Sequence, residues 1–290
     1  MASKFVVIPT IPSFLLLDPL LKAWLVEDMG RGDRVTQALL SQGPRLDEAR
    51  WVAKEAGVIA GLPIAARVFQ LLDPEVRFEA WVAEGETVIA GQPIAALHGS
   101  FDALLSGERV ALNLAMRLSG IASATRKFVE VLEPYNTRFA DTRKTTPGLR
   151  ILEKYASKVG GAVNHRMGLD DAAMIKDNHI EAAGGIAQAI ELVRGHAPYP
   201  LTIEVETENL VQVQEALVHG VDIIMLDNMK PEMMTEAVKM IRATSDRVKI
   251  EASGNVTLET LQFIAKTGVD YISSSAPMTR SPWMDISMRF

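Results

Sequence analysis

The chain has 290 residues, of which 48% are hydrophobic, and its formal net charge is -6. A chain of this length can bury a large core, and we expect two domains or one large α/β barrel. It contains no cysteine, which excludes disulfides and thiolate metal sites and is compatible with the cytoplasm or another reducing compartment. The acidic balance, without any basic stripe, argues against nucleic acid as a partner.

The opening segment, residues 1–24, is apolar but does not have the pattern of a leader or a membrane span. Pro9, Pro12, Asp18 and Pro19 interrupt it, and no small-residue cleavage site follows a clean apolar core. No part of the chain reaches the roughly twenty uninterrupted apolar residues that a membrane helix needs. We therefore expect no membrane partner, and we interpret the segment as a packed arm and a candidate oligomer contact.

The next part of the chain predicts a mixture of helices and antiparallel strands. Residues 20–40 begin as an amphipathic helix that ends at a glycine, and the acidic residues there, such as Asp33, fit helix-end solvation better than metal binding. From Arg50 to His98, alternating apolar positions separated by Gly and Pro predict short antiparallel strands. Residues 102–132 have apolar side chains at helical spacing and predict a long helical region.

From Thr137 onward, strand-like segments alternate with helical ones. The strand-like segments are TRFADTR, AAMIKDN, LTIEVET, DIIMLDN, RVKIEAS and VDYISSS; the helical ones include GGIAQAIELVRG, ENLVQVQEALVHG, PEMMTEAVKMIRAT and TLETLQFIAKTG. Repeated β-then-α units predict a parallel sheet covered by helices. The number of units and the lack of a Gly-rich dinucleotide fingerprint favour a TIM-like βα-barrel, complete or incomplete, over a doubly wound sheet.

These patterns predict an α/β protein with two domains. We expect an N-terminal α+β sandwich domain over residues 1–117 and a catalytic βα-barrel over residues 118–282. The final segment, SPWMDISMRF, alternates apolar and polar residues. Residues 283–290 are therefore predicted to form a strand that returns to the N-terminal domain.

Several predicted strands of the barrel end in chemically active residues. These residues are Arg143, Lys176, Glu206, Asp227 and Ser253. In a βα-barrel the carboxyl ends of the strands form the active face, so one mouth would gather cations on one arc and carboxylates on another. A solvated surface charge would be the default interpretation of any one of them, but the repetition favours a binding site.

A cluster of positively charged or titratable residues inside this acidic protein predicts a pocket for a small anion. Its members lie between Thr137 and Ile180 and are Arg143, Lys144, His165, Arg166 and Lys176. Thr146 is a candidate N-cap and Pro147 a candidate first helical residue, which would place a helix N-terminus beside Arg143 and Lys144. The free N–H groups of such a terminus would attract an anion.

The motifs DTRKTTPGLR, NHRMGLDDAAMIKDNH, IEVE, IMLDN and IEASGN closely resemble those of the quinolinate phosphoribosyltransferases, also called carboxylating nicotinate-nucleotide pyrophosphorylases. The similarity extends from about Leu20 to the end of the sequence, and the two longest motifs are highly specific. The resemblance implies a glycosyltransferase of pyridine nucleotide and NAD biosynthesis. Such an enzyme transfers phosphoribosyl from phosphoribosyl pyrophosphate to quinolinate with magnesium, giving nicotinate mononucleotide, pyrophosphate and carbon dioxide.

The resemblance also assigns site residues. The two carboxylates of quinolinate would be bound by Arg143, Arg166 and Lys176, and by Arg109 from a neighbouring subunit, which implies a homodimer or a larger assembly. Lys144 and His165 would contact substrate, and Lys144 would also be catalytic.

Two carboxylates are the expected magnesium ligands and catalytic residues, Glu206 and Asp227, because hard oxygen donors suit this ion. Glu204 lies two residues before Glu206 and so faces the same side of its strand, which leaves the choice between them open on spacing alone. The family pattern selects Glu206.

Two turns are candidates for the ribose 5′-phosphate, because backbone N–H groups in tight turns cradle phosphates. The first contains Ser253, Gly254 and Asn255, and the second contains Ser274 and Ser275. The family commonly has glycine where Ser275 stands, and this departure resembles the molybdenum-transport-associated ModD proteins. A ModD-like or nicotinate-type phosphoribosyltransferase is therefore the alternative, and a non-catalytic metabolite-binding protein on the same fold is the third hypothesis.

Overall fold

The computed structural model describes residues 10–290, so the first nine residues of the predicted N-terminal arm lie outside the described residues. The chain divides into two compact units. The first unit runs as far as Arg126 and also contains Ile151–Gly161 and Arg280–Phe290; the second contains Lys127–Arg150 and Ala162–Thr279. The division after Arg126 lies beyond the boundary that we predicted after residue 117.

Alternation of strands and helices extends through the described residues. The strands are β1 (Leu46–Ala53), β2 (Gly57–Val58), β3 (Arg77–Ala80), β4 (Thr87–Val88), β5 (Pro93–Ser100), β6 (Arg138–Ala140), β7 (Ala173–Ile175), β8 (Ile203–Thr207), β9 (Ile223–Asp227), β10 (Lys249–Ser253), β11 (Tyr271–Ser273) and β12 (Ile286–Arg289). The helices are α1 (Phe14–Met29), α2 (Arg34–Leu39), α3 (Leu62–Leu72), α4 (Phe101–Leu132), α5 (Arg150–Val159), α6 (Asp177–Ala183), α7 (Ile186–His196), α8 (Leu210–Val218), α9 (Pro231–Thr244), α10 (Leu258–Ala265) and α11 (Ala276–Thr279).

The first unit contains a four-stranded antiparallel sheet in the order β12-β1-β5-β3. The predicted return of the chain to this sheet is seen in β12, where Arg289 lies opposite Arg50. One helix, α3, was missed within the region that we predicted as strands. It starts after Gly61, whose φ of 97° is in the left-handed region, and Pro63 lies in its first turn. Asp33 caps α2 by accepting from Val35 and Thr36 N–H, as helix-end solvation predicts.

The long predicted helical region is one continuous helix, α4, of 32 residues. Gly120 lies inside it at a point of close contact, because a Cβ atom there would come within 2.0 Å of the Pro282 carbonyl oxygen. Glycine is thus required by packing rather than by backbone conformation. The division between the two units falls within this helix, after Arg126.

We expect Gly120→Ala to destabilise the protein, because neither the helix nor the Pro282 backbone can move cheaply to accept a methyl group. Overpacking of this kind costs about 1–3 kcal/mol or more. Gly195→Ala, inside α7, is the matched control: its Cβ would meet nothing within 4 Å, so the better helix propensity of alanine should stabilise by up to ~1 kcal/mol. Urea unfolding of both variants measures the difference, and equal midpoints would contradict the close contact.

The second unit contains a six-stranded parallel sheet in the order β6-β11-β10-β9-β8-β7. All six strands and all four helices predicted for this region are confirmed. Val163 adds one parallel bridge to Ala140 on the outer side of β6. Across residues 10–290 the pairings do not close from Val163 to β7, so the α/β architecture is an incomplete barrel.

Apolar side chains from adjacent strands and from the covering helices form the core of this unit. Ile224, Ile250 and Ile272, on β9, β10 and β11, are each fully buried. One face of each strand packs against the covering helices and the other against the barrel interior, which explains the almost continuous apolar sequences of these strands. Within the described part of the chain, every helix is too short or too polar to cross a membrane.

Candidate active site

The predicted site residues of the second unit lie at the carboxyl ends of its strands. Lys176 follows β7 directly, Asp227 ends β9 and Ser253 ends β10. Glu206 is the next-to-last residue of β8, and Arg143 lies just beyond β6. Because parallel strands direct their carboxyl ends to the same edge, these residues share one edge of the sheet.

Two guanidinium groups, those of Arg143 and Arg166, lie close enough to repel each other. Burial lowers the pKa of Arg166, and the charge of Arg143 is the second cause. Arg166 is 9% exposed and donates from Nη1 to the Ala172 carbonyl oxygen at 2.8 Å. The Nε of Arg143 is buried and has no hydrogen-bond partner among the described residues. Two planar guanidinium groups so close together form a cationic pair that suits an anion with more than one acidic group.

Arg150, which was not predicted as a site residue, holds the loop that carries Arg143. Its guanidinium donates to Thr145 Oγ1 at 3.1 Å and to the Arg143 carbonyl at 3.4 Å. A further bond joins it to the Met167 carbonyl oxygen at 3.2 Å. One arginine therefore connects the segment after β6 to the segment after Arg166.

The predicted helix start at Thr146 and Pro147 is wrong. Helix α5 begins at Arg150, because Gly148 has a φ of 81° and the preceding residues form a turn closed by Leu149 N–H and the Thr146 carbonyl. A left-handed residue cannot be part of an α-helix. The anion site therefore lacks the helix N-terminus that we expected there, while Lys144 is exposed beside the turn.

An acidic cavity lies at the ends of β8 and β9. It is lined by Asp177, Ile180, Glu206, Glu208, Gln212 and Asp227. Lys176 Nζ contacts Glu206 Oε1, so the cationic and acidic arcs meet here as predicted from the strand ends. Asp177 and Glu208 were not predicted as site residues, although each adjoins a residue of a predicted strand end.

A second group of ionisable side chains is buried close to the arginines. His165 Nε2 lies 3.2 Å from Glu204 Oε2 and 3.5 Å from Glu251 Oε2. Glu204 is 1% exposed and Glu251 is 3% exposed. Glu204 thus contacts His165 whereas Glu206 contacts Lys176, so the two glutamates of β8 have different surroundings. Glu251 was not predicted from sequence.

Burial raises the pKa of Glu251 to about 7, and the charge of Glu204 raises it further. Glu206 acts in the same direction, whereas His165 and Ser273 act against it. Between the ordinary glutamate pKa of 4.5 and a pH of about 7, the folded protein therefore keeps the Glu251 proton, whereas the unfolded chain releases it.

This proton stabilises the fold fully below the unfolded-state pKa, and the contribution is lost as the pH rises through about 7. We expect the melting temperature of the wild-type protein to fall relative to that of Glu251→Gln between pH ~5.5 and ~8.5, because glutamine cannot ionise. Thermal unfolding of both proteins across this range tests it. A constant difference would contradict the shifted pKa.

The first predicted phosphate turn is tied to the end of β9. Asn228 N–H donates to the Ser253 carbonyl at 3.0 Å, and Asn228 Nδ2 donates to Asp227 Oδ2 at 2.7 Å. Asn228 and Asn255 have φ values of 53° and 50°, which are uncommon for residues other than glycine. Gly254 has a φ of 93°, and a Cβ there would lie 2.1 Å from Asn228 Oδ1. Such strained backbone is typical of functional sites.

The second predicted turn leads into the short helix α11. Ser274 Oγ accepts from Ala276 N–H at 3.2 Å, and the Ser275 carbonyl accepts from Thr279 N–H at 2.9 Å. Arg109 belongs to the first unit, where it lies exposed on α4. Its contact with a neighbouring subunit, and the phosphate contacts of both turns, stay predictions.

Comparison with known proteins connects this geometry to one family. Residues 33–119 match the family described as "Quinolinate phosphoribosyl transferase, N-terminal domain", and residues 121–289 match the corresponding C-terminal domain. The chain belongs to the quinolinate phosphoribosyltransferase family. This confirms the family predicted from the motifs, and with it an enzyme of the phosphoribosyltransferase class.

Relatives of this quinolinate phosphoribosyltransferase family match almost the whole chain. A probable carboxylating nicotinate-nucleotide pyrophosphorylase from Synechocystis sp. is 60% identical, and the match covers 96% of this chain and 94% of the relative. One from Bacillus subtilis is 46% identical over 94% of this chain and 93% of its own. The crystal structure of NadC from Streptococcus pyogenes, 42% identical, superposes with a TM-score of 0.92 over 97% of this chain and 98% of its own.

Proposed function

We propose that the protein transfers phosphoribosyl from phosphoribosyl pyrophosphate to the ring nitrogen of quinolinate. Pyrophosphate leaves, the carboxylate beside the nitrogen is lost as carbon dioxide, and nicotinate mononucleotide is the product. The observation that carries this proposal is the pair of neighbouring arginines in a chain of this family: Arg166 is buried, and Arg143 has a buried Nε. Two adjacent carboxylates are the feature that separates quinolinate from simpler pyridine acids.

Arg143, Arg166 and Lys176 bind the dicarboxylate. A guanidinium presents its donors in a planar fork, so two of them fix both the position and the plane of an aromatic diacid. This orientation directs the ring nitrogen toward the ribose carbon that it attacks. The Nε of Arg143, which is buried without a partner among the described residues, is the donor that we assign to one carboxylate.

Glu206 and Asp227 stabilise the positive charge that develops on the ribose carbon as pyrophosphate departs. Both side chains line the same acidic cavity, so their charges are fixed before the reaction begins. Lys144 is exposed at the edge of the arginine loop, and its mobile ammonium is suited to the departing pyrophosphate.

Magnesium is the cation that we assign to this cavity. Its carboxylate donors, which include Asp177 and Glu208 beside the predicted ligands, have the chemistry that a hard divalent ion prefers. Glu206 and Asp227 would hold the ion there. A bound magnesium ion would supply neutralisation of the charge on the pyrophosphate oxygens.

The remaining substrate contacts follow from the turns and from a second subunit. Ser253, Gly254 and Asn255 present backbone groups to the ribose 5′-phosphate, and the turn with Ser274 and Ser275 is the second contact that we assign to it. Arg109 of one protomer completes the quinolinate site of its partner in a homodimer. Mixed dimers of Arg109→Ala with a second inactive variant test this sharing. If the site is shared, one of the two sites in the mixed dimer contains only wild-type residues from both protomers, and activity is restored.

Decarboxylation requires positioning rather than another acid. Once the ring nitrogen is ribosylated it is cationic, and this charge stabilises the carbanion that remains when the adjacent carboxylate leaves as carbon dioxide. The arginines keep the ring in place until the carbon is protonated.

The direct test incubates the purified protein with quinolinate, phosphoribosyl pyrophosphate and magnesium. We expect nicotinate mononucleotide, with one carbon dioxide per nucleotide, and loss of activity when the metal is chelated. Nicotinate in place of quinolinate is the matched control, since it lacks the second carboxylate. Faster turnover of nicotinate, or binding of quinolinate without any nucleotide product, would overturn the proposal in favour of the nicotinate-type, ModD-like or non-catalytic alternatives.

A further inference from the structure

Arg150 is the first residue of α5, and each nitrogen of its guanidinium donates to a neighbouring oxygen. Nε donates to Thr145 Oγ1 at 3.1 Å, and Nη2 donates to the Arg143 carbonyl oxygen at 3.4 Å. Nη1 donates to the Met167 carbonyl oxygen at 3.2 Å. All of these residues belong to the second unit. Arg150 therefore binds two segments of that unit, the one that follows β6 and the one that contains Arg166.

The segment that follows β6 shares its polar groups with Arg150. Thr145 N–H donates to the Arg143 carbonyl oxygen at 3.0 Å, which closes a tight local turn. The Thr145 hydroxyl accepts from Arg150 Nε and donates to the same Arg143 carbonyl at 3.4 Å. Because one hydroxyl and one carbonyl belong both to the turn and to the contact with the guanidinium, displacement of Arg150 would also displace the backbone of Arg143.

The two arginines that these segments carry repel each other. Burial lowers the pKa of Arg166, and the charge of Arg143 lowers it further. Like charges favour separation of the two segments, and an anion with two acidic groups must then bring them back together. The apparent affinity falls in proportion to the fraction of the protein in which both guanidinium groups are in place. A bond between the two backbones raises that fraction and leaves both side chains available to an anion.

Arginine is suited to this task by its shape. Its guanidinium is planar and holds its N–H donors in fixed directions, so acceptors on two segments are kept at fixed separations. A lysine at the same position would carry the same charge. Its single ammonium nitrogen, however, cannot occupy the separate positions from which the three nitrogens of Arg150 donate. Charge and geometry can therefore be separated by substitution.

We propose that Arg150 is a positioning residue that fixes the separation between Arg143 and Arg166, so that both guanidinium groups are in place for an aromatic acid with two adjacent carboxylates. Arg150 acts through the backbones of the two binding arginines. The effect on quinolinate rests on the proposed function, whereas the tie between the two segments is a property of the protein alone.

Steady-state kinetics of Arg150→Ala test the effect on binding. We expect the KM for quinolinate to rise about tenfold, as it would if the fraction with both arginines in place fell to about a tenth. The kcat and the KM for phosphoribosyl pyrophosphate should stay within about threefold of the wild-type values, because Glu206 and Asp227 stand on other strands. Arg150→Lys should behave like Arg150→Ala. A wild-type KM for quinolinate in the lysine variant would show that charge alone suffices and would overturn the proposal.

Arg194→Ala is the matched control. Arg194, on α7 in the same unit, donates from Nη2 to the carbonyl oxygens of His219 and Gly220 at 3.1 and 3.0 Å. This arginine also ties a helix to a neighbouring backbone segment, but that segment precedes β9 and so lies away from the carboxyl ends of the strands. We expect wild-type kinetics. An equal rise in the quinolinate KM of both arginine variants would assign the effect to a general loss of structure and overturn the proposal.

A second pair of variants decides if Arg150→Ala does not fold. Thr145→Val keeps nearly the same shape but removes the hydroxyl that accepts from Arg150, and it should raise the quinolinate KM about threefold. Thr145→Ser keeps the hydroxyl and should recover most of the affinity. Identical quinolinate KM values for the valine and serine variants would contradict the tie.

Amide hydrogen exchange tests the tie without any substrate. In Arg150→Ala, residues 142–149 and 164–168 should exchange about tenfold faster than in the wild-type protein, because loss of the tie makes local opening easier. Thr145→Val should show a smaller increase, and Arg194→Ala should show none in these residues. Unchanged exchange in Arg150→Ala would overturn the proposal. A wild-type protein that forms no nicotinate mononucleotide would count against the proposed function, and the exchange measurement would still decide on the tie.

Discussion

Replacing Arg143 with alanine is expected to raise the KM for quinolinate by about 10- to 100-fold, the range for losing a hydrogen bond to a charged group. The guanidinium has a buried Nε without a partner among the described residues and lies near Arg166. Its removal leaves one substrate carboxylate unpaired, while Glu206 and Asp227 still act on the ribose. The kcat should therefore change less than the KM, and steady-state kinetics with quinolinate as the varied substrate measure both.

Arg138→Ala is the matched control for this prediction. Arg138 is exposed at the amino end of β6, whereas Arg143 follows the carboxyl end of the same strand. Both substitutions remove one positive charge from the same part of the chain, so a general electrostatic effect would appear in both. Similar kinetics for the two variants would show that Arg143 does not bind the substrate directly.

The substitution Asp227→Asn is expected to lower kcat by about 10²–10³-fold, the range for removing one fixed group that stabilises charge in a transition state. The amide is nearly the same size and can still accept the hydrogen bond that Asn228 Nδ2 gives to Asp227 at 2.7 Å. The loss would therefore be one of charge rather than of structure. The magnesium concentration that gives half-maximal turnover should also be higher for this variant.

Asp246→Asn removes the same charge at an exposed position after α9 and should leave both quantities unchanged. The melting temperatures of the two variants establish whether each is folded. Wild-type kcat and an unchanged magnesium requirement in Asp227→Asn would exclude this carboxylate from the catalytic cavity.

The sequence predicted the second unit well because its strands are buried on both faces. An apolar run such as IIMLD, repeated between helical segments, is typical of a strand inside a helix-covered parallel sheet, and the polar residue that ends it falls at the carboxyl edge. The strand ends therefore predicted where Lys176, Glu206 and Asp227 would stand.

Other features depend on contacts or backbone angles that local patterns do not contain. The predicted helix start at Pro147 was wrong because Gly148 adopts a left-handed conformation, which no helical residue has. The sequence Thr-Pro-Gly fits both a helix start and such a turn. Glu251 alternates with apolar residues in β10 as any inward residue would, and only the fold places it beside His165 and Glu204. Helix α3 was missed because its apolar residues resemble those of the flanking strands.

The antiparallel sheet of the first unit has a consequence for how the protein is made. Strand β1 pairs with β12 on one side and with β5 on the other. During translation, β1 and β5 leave the ribosome early, but β12 emerges only after the whole parallel sheet has been synthesised. The nascent chain must therefore carry an open sheet edge through most of its synthesis, and the amino-terminal unit reaches its final form last.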